Sequence, residues 1–297
     1  MGDDASHLLQ KAAEYFARTD QERIAYIRSP RWIGYPRAQK VLKQLETLLS
    51  YPASHRMPNL LIVGDTNNGK TMLVKRFRGQ HKPQDNPTGE AAVVPVLFLQ
   101  APPVPDEGRF YNAILERLFA PYNPGDRADR KQFQAIKLLR EVGLKMLIID
   151  EIHHMLAGSM AKQKAFLNVI KYLGNELEVP IVGVGTRDAF RAIQTDPQLS
   201  NRFDHALLPR WANDDDFRRL LATFEQVLPL RYPSVLIEAS LADKIYAMSE
   251  GFLGEISRLL VDSAVAAVER GQERIDKRIL DSIDWVPPSE RRKEPRE

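Results

Sequence analysis

Eight consecutive residues, Gly64-Asp-Thr-Asn-Asn-Gly-Lys-Thr71, fit the pattern G-x-x-x-x-G-K-[ST] in full. The chemistry that this spacing suits is the cradling of a nucleotide's phosphates. Glycines let backbone N–H groups turn inward around an anion, and a helix starting directly behind the loop adds the positive end of its dipole. In such a loop Lys70 neutralises the β- and γ-phosphates as a point charge, and the Thr71 hydroxyl ligates Mg²⁺. Gly64, Asp65, Thr66, Asn67, Asn68, Gly69, Lys70, Thr71 and the adjoining Met72 are therefore the expected nucleotide-binding residues, with ATP and Mg²⁺ as cofactors.

The second half of such a site is an apolar strand ending in carboxylates, and Met146-Leu-Ile-Ile-Asp150-Glu151 has that form. Asp150 would join Thr71 in holding the metal, and Glu151 would polarise the attacking water as general base. The competing role for this pair is to cap the next helix. The run Ile181-Val-Gly-Val-Gly-Thr186 reads as a strand between the two motif strands, which aims Thr186 at the γ-phosphate. Thr186 is thus a sensor, or else a plain cap of the helix that follows. Arg202, just before the last strand, is the expected arginine finger for a neighbouring subunit, with Arg187 and Arg191 as alternates. Arg258, in Gly251-Phe-Leu-Gly-Glu-Ile-Ser-Arg258, is expected to fold back onto the phosphates unless Glu255 pairs with it locally. Asp150-Glu-Ile-His153 also fits the D-E-x-H box of helicases, but those need two facing ATPase cores and the chain has room for one. His153 and His154 lack a cysteine or third ligand at metal-binding spacing, so they are expected to pack or hydrogen-bond beside the site.

Strand-like runs at Asn59–Val63, Val93–Leu99, Lys145–Ile149, Pro180–Val184 and His205–Leu208 alternate with helical periodicity, which predicts a parallel sheet covered on both faces. An extra strand and helix fit between the two motifs. That predicts a three-layer α/β core with sheet order 5-1-4-3-2, as in the additional-strand ATPases, rather than a GTPase or nucleotide kinase. Residues 5–28 read as helical, Pro36–Leu49 as a second helix, and everything beyond Trp211 as helices only. The expected divisions are an N-terminal helical arm (1–50), the core (51–210), a helical lid (211–285) and a disordered tail (286–297). The polar segment 79–91 reads as a loop of the same character as the tail. The chain of 297 residues is 43% hydrophobic and 27% charged, has no cysteine and carries a net charge of +3. Disulfides and thiolate metal sites are excluded, and any polyanion must be met by local basic patches. No apolar run suits a membrane span, and the first ten residues lack the pattern of a secretory signal, so a cytoplasmic protein is expected.

The stretches Arg56–Met72 and Leu147–Gly158, with Tyr35-Pro-Arg-Ala38 upstream, resemble the TniB/TnsC-type AAA+ transposition regulators, relatives of MuB. The Thr-Asn-Asn inside the loop carries more of this resemblance than the generic pattern does. The resemblance implies an AAA+ ATPase that assembles on double-stranded target DNA as an ATP-dependent ring or helical filament. It also implies recruitment of a DDE transposase and a TniQ-type targeting partner. No helix-turn-helix is evident after Trp285, so the ATPase core itself must grip DNA, through backbone-directed and sequence-independent contacts. Arg109, Arg127, Arg130, Lys131 and Lys137 are the expected contacts, although each could equally belong to a solvated helix face. A clamp-loader-like or initiator-like helper ATPase remains the alternative from another class, and a nucleotide-switch signalling module is a third.

Overall fold

Central strands of a doubly covered sheet read as near-continuous apolar runs, and this pattern marks which segments of the chain pair. In the computed structural model, which describes residues 5–291 apart from 88, 90, 155 and 157, the chain begins with α1 (Gln10–Phe16), α2 (Asp20–Arg28) and α3 (Pro36–Leu49). Then come β1 (Asn59–Gly64), α4 (Lys70–Gln80), β2 (Val96–Gln100), α5 (Glu107–Arg117), α6 (Ala128–Glu141) and β3 (Met146–Asp150). A 3₁₀ turn at Ile152–His154 leads to α7 (Met160–Leu177), β4 (Ile181–Gly185), α8 (Arg187–Gln194), α9 (Pro197–Ser200) and β5 (Phe203–Leu208). Only helices follow: α10 (Asp215–Val227), α11 (Ala239–Ser249), α12 (Leu253–Glu269), α13 (Lys277–Asp281) and α14 (Pro288–Arg291). Among the described residues, no helix is long and apolar enough to cross a membrane.

These elements form two compact units. The α/β unit comprises Pro36–Thr66 and Lys70–Leu208. Its five strands are all parallel, in the order β2-β3-β4-β1-β5, which is the expected 5-1-4-3-2 read from the other edge. β1, β3 and β4 are buried throughout, whereas β5, at the edge, buries Phe203, Ala206 and Leu208 and exposes Asp204, His205 and Leu207. Alternate residues serve opposite faces. Leu61, Val63, Leu97, Leu99, Leu147 and Ile149 share one core with the apolar stripes of α5 to α8, and α4 packs on β1, β2 and β4. β2 starts three residues later than expected. Pro95 has no N–H to give a ladder, and Val93 instead bridges back to Gln84 inside the segment that read as a loop.

The helical unit gathers the described residues up to Tyr35, Asn67–Gly69 and those from Pro209 onward. The expected N-terminal arm is therefore divided, with α1 and α2 in this unit and α3 in the α/β unit. The helix expected over 5–28 breaks at Thr19, whose capping box with Glu22 starts α2 afresh. The tail expected from residue 286 is partly helical: α14 forms, with Ser289 N–H donating to Glu250 at 2.9 Å. Residues 292–297 lie outside the described part.

A buried guanidinium ties α2 to this unit. Arg23 is fully buried, donates through Nε and Nη2 to the Pro229 carbonyl at 3.1 and 2.8 Å, and forks onto both carboxylate oxygens of Glu273. Removing one partner of such a pair leaves an uncompensated buried charge, at a cost of about 3–5 kcal/mol. Glu273→Ala should lose stability of that order in denaturant unfolding, whereas Asp20→Ala, which removes an exposed partner of the same arginine, should lose less than about 1 kcal/mol.

Candidate nucleotide-binding site

The loop between β1 and α4 is fixed at its start by the sheet. A Cβ on Gly64 would stand 2.6 Å from the Leu208 carbonyl oxygen, so close pairing with β5 by itself demands glycine there. Lys70 opens α4 with its side chain buried, and its ammonium donates to the Gly64 and Asp65 carbonyls at 2.8 Å each. Burial pushes this ammonium below the usual lysine range, against the pull of Glu151, Asp150 and Asp65. A lysine ammonium has three donors. Among the described residues its hydrogen bonds go only to neutral carbonyls, which suits a site built to receive an anion.

Thr71 Oγ1 donates to Asp150 Oδ2 at 2.7 Å. β4 lies between β1 and β3, so this bond reaches past a strand to join the helix behind the loop to the end of β3. The other Asp150 oxygen accepts the Glu151 N–H at 2.9 Å. A hydroxyl beside a buried carboxylate is the sparse protein ligand set that Mg²⁺ accepts while keeping waters and phosphate oxygens. Glu151 itself has φ +54°, in the left-handed region where a non-glycine residue is strained by on the order of 1–3 kcal/mol.

The 3₁₀ turn after Glu151 fits because β4 carries glycines. A Cβ on Gly183 would come 3.1 Å from Ile152 Cδ1, and one on Gly185 would come 3.2 Å from Ile152 Cγ2 and 3.4 Å from His153 Nδ1. The turn brings His153 Nε2 to 3.2 Å from Glu151 Oε2. Burial lowers the His153 pKa below the ordinary histidine value, Glu151 opposing. Glu151, His153 and His154 each place a donor atom within 4.8 Å of the others. Sequence spacing offers the histidines no third ligand; the tight turn brings the Glu151 carboxylate alongside them by coiling the chain onto itself. Among the described residues, three buried polar atoms here have no hydrogen-bond partner: His153 Nδ1, His154 Nδ1 and Thr186 Oγ1. Thr186 sits at the N-cap of α8, yet its side chain makes no capping bond.

The middle of the motif, Asn67–Gly69, belongs to the helical unit. Asn67 adopts φ +62° and donates to Glu255 Oε1 at 2.9 Å, while its carbonyl accepts the Gly254 N–H at 2.9 Å. Asn68 Nδ2 donates to the Pro209 carbonyl at 2.9 Å, and its Oδ1 accepts the Leu253 N–H at 3.3 Å. Gly69 needs its φ of +80°, and a Cβ there would press to 2.8 Å from Leu253. These contacts give the two asparagines a docking role with the start of α12 that the phosphate-loop pattern does not reveal.

Other expected residues stand as follows. Arg258 pairs with Asp262 at 3.6 Å and lies over the Trp285 ring, and its expected local partner Glu255 is bound by Asn67 and by Arg291 of α14. Within this unit, then, Glu255 rather than Arg258 reaches the loop. Arg202 donates to Asn175 at 2.8 Å and lines a cleft of about 480 Å³ with Tyr51, Arg56 and Gln198. Of its alternates, Arg191 pairs with Asp188 at 3.1 Å and Arg187 is exposed at the start of α8. Met72 is exposed. Among the basic residues expected on DNA, Lys131 is a correction: it is buried, and its ammonium donates to the Pro124 carbonyl at 2.9 Å beside Tyr122. Arg109, Arg127, Arg130 and Lys137 are exposed, the last three in ion pairs with Asp129, Asp126 and Glu141.

A family model described as Bacterial TniB protein matches residues 23–213. The chain belongs to the TniB family. No curated protein sequence matches it. Solved structures give the fold of this TniB-family chain, that of the AAA+ ATPases. ORC2 of Aeropyrum pernix matches with a TM-score of 0.56 at 14% identity, covering 86% of this chain and 69% of its own. Cdc6p of Pyrobaculum aerophilum matches with a TM-score of 0.56 at 19% identity over 84% and 67%. The RuvB Holliday junction branch migration motor of Thermotoga maritima matches with a TM-score of 0.51 at 16% identity over 86% and 71%.

The orphaned Thr186 hydroxyl separates its two readings. A threonine cap replaced by a residue without a hydroxyl would cost about 1 kcal/mol, whereas an unpaired buried hydroxyl contributes nothing to lose. Thr186→Val should therefore melt at or slightly above the wild-type temperature, and a clear loss would restore the capping role.

Proposed function

We propose that this TniB-family chain binds and hydrolyses ATP with Mg²⁺, assembles on double-stranded DNA in its ATP-bound form, and regulates transposition by selecting the target and recruiting a DDE transposase with a TniQ-type partner. The observation that carries the ATPase reading is the Thr71–Asp150 hydrogen bond beside the buried Lys70 ammonium. That arrangement offers a cation for the phosphates and a hydroxyl–carboxylate pair for the metal. Mg²⁺ would draw charge from the β- and γ-phosphate oxygens. Glu151, next along the chain, polarises the attacking water as general base. Thr186, at the end of β4, senses the γ-phosphate or that water. Arg202 acts from the edge of a neighbouring subunit, where a heterologous contact closes into rings or runs on as a helix. Arg258 is the second sensor of the helical unit.

Family membership supports the transposition role, and the naming of a structural neighbour as a Holliday junction motor agrees with work on DNA. Arg109, Arg127, Arg130 and Lys137 are the proposed phosphate contacts. The ion pairs of Arg127, Arg130 and Lys137 lie at the surface and are weak enough, at about 0–1 kcal/mol each, to yield to DNA. Binding through them ignores base sequence and weakens with salt.

Two variants test the hydrolytic half together. Lys70→Ala should lose most of its affinity for ATP·Mg²⁺ in calorimetry. Glu151→Gln should keep that affinity while turnover falls at least ~30-fold, as loss of a general base requires. Unchanged binding in the first, or near-wild-type turnover in the second, would contradict the assignments.

A further inference from the structure

A general base works only when something holds it in line, and such bases are commonly oriented by a third group. Glu151 directly follows β3 with a strained backbone and a carboxylate that is about one-third exposed, so its own packing does not fix its direction. The side chain that meets it is His153, at 3.2 Å from Nε2 to Oε2. His153 in turn is held by the fold. It sits in the 3₁₀ turn, its side chain is 21% exposed, and its ring lies against the position where Gly185 leaves out a Cβ.

The imidazole's two nitrogens have different surroundings. Nε2 faces a carboxylate, which only accepts, so the proton belongs on Nε2. Nδ1 is then a buried acceptor, and among the described residues it has no partner. The Thr186 hydroxyl, directly after Gly185, is a buried donor that also has none. Buried polar atoms are nearly always paired, so each of these two atoms marks a place for a further polar group.

We infer that His153 is a positioning residue for Glu151, its Nε2 lying 3.2 Å from the carboxylate and holding it toward the water. The inference rests on the hydrolytic reading above, because it assigns no new chemistry and acts through Glu151. It gives the second residue of the Ile-His-His turn a role that packing alone would not. The burial that lowers the His153 pKa agrees with a neutral donor rather than a fixed cation.

Steady-state ATPase rates with DNA present test it. His153→Ala should lower kcat about tenfold, the scale on which groups that orient a reacting group act, with KM for ATP changed less than about threefold. His153→Gln, whose side-chain amide supplies a donor at similar reach, should recover most of the loss. In a Glu151→Gln background His153→Ala should cost nothing more, since the group it positions is already disabled. Should the alanine variant fail to fold, His153→Phe fills the space without a donor and carries the same comparison. Wild-type kcat in the donor-less variant, no recovery with glutamine, or an equal loss in both backgrounds would overturn the positioning role. Near-wild-type turnover in Glu151→Gln alone would instead overturn the general-base reading beneath it, which distinguishes the two failures.

Discussion

The hydrogen bond from Thr71 to Asp150 is the constraint around which the α/β unit is arranged. It joins the first turn of α4, the helix that follows β1, to the end of β3, although β1 and β3 are not neighbours in the sheet. The strand between them, β4, carries Gly183 and Gly185, whose missing Cβ atoms leave room for Leu61 and for the 3₁₀ turn after Glu151. A buried carboxylate is tolerable only with its lone pairs satisfied. Asp150 spends one oxygen on Thr71 and the other on the Glu151 amide, and the second bond helps hold Glu151 at its strained φ.

The two ends of the phosphate loop and its middle answer to different neighbours. Gly64 is set by β5, and Lys70 and Thr71 by α4 and β3. Asn67 and Asn68 are instead set by Glu255, Leu253 and Pro209 in the helical unit. That unit also keeps Glu255 in place with an ion pair to Arg291 in α14. Its own frame is the Arg23–Glu273 pair, which draws the N-terminal α2 against residues from the far end of the chain.

Much of this was legible in the sequence where one local rule decides the outcome. The five apolar runs became the five strands, and the crossover lengths gave the strand order, because a buried parallel strand leaves little alternative. Boundaries moved where a single residue intervened: Pro95 shortened β2, and Thr19 with Glu22 divided the first helix. The least legible contacts join residues far apart in the chain. Asn67 meets Glu255 across 188 positions and Arg23 meets Glu273 across 250. Local pairing at i, i+3 suggested Glu255 with Arg258, but an amide and a guanidinium from elsewhere took the carboxylate. The burial of Lys131 was equally hidden, since a lysine in a charged run reads as solvated until a carbonyl such as that of Pro124 is brought over it. For Glu151 and His153 the sequence showed adjacency, and only the coiling of the 3₁₀ turn showed contact.

The central proposal is that nucleotide held between Lys70, Thr71 and Asp150 drives assembly on DNA. Electron microscopy of the protein with duplex DNA, with and without a non-hydrolysable ATP analogue, tests it most directly. Rings or helical filaments on DNA only when the analogue is present are the predicted result. Equal assembly without nucleotide, or dispersed single chains in both samples, would contradict it.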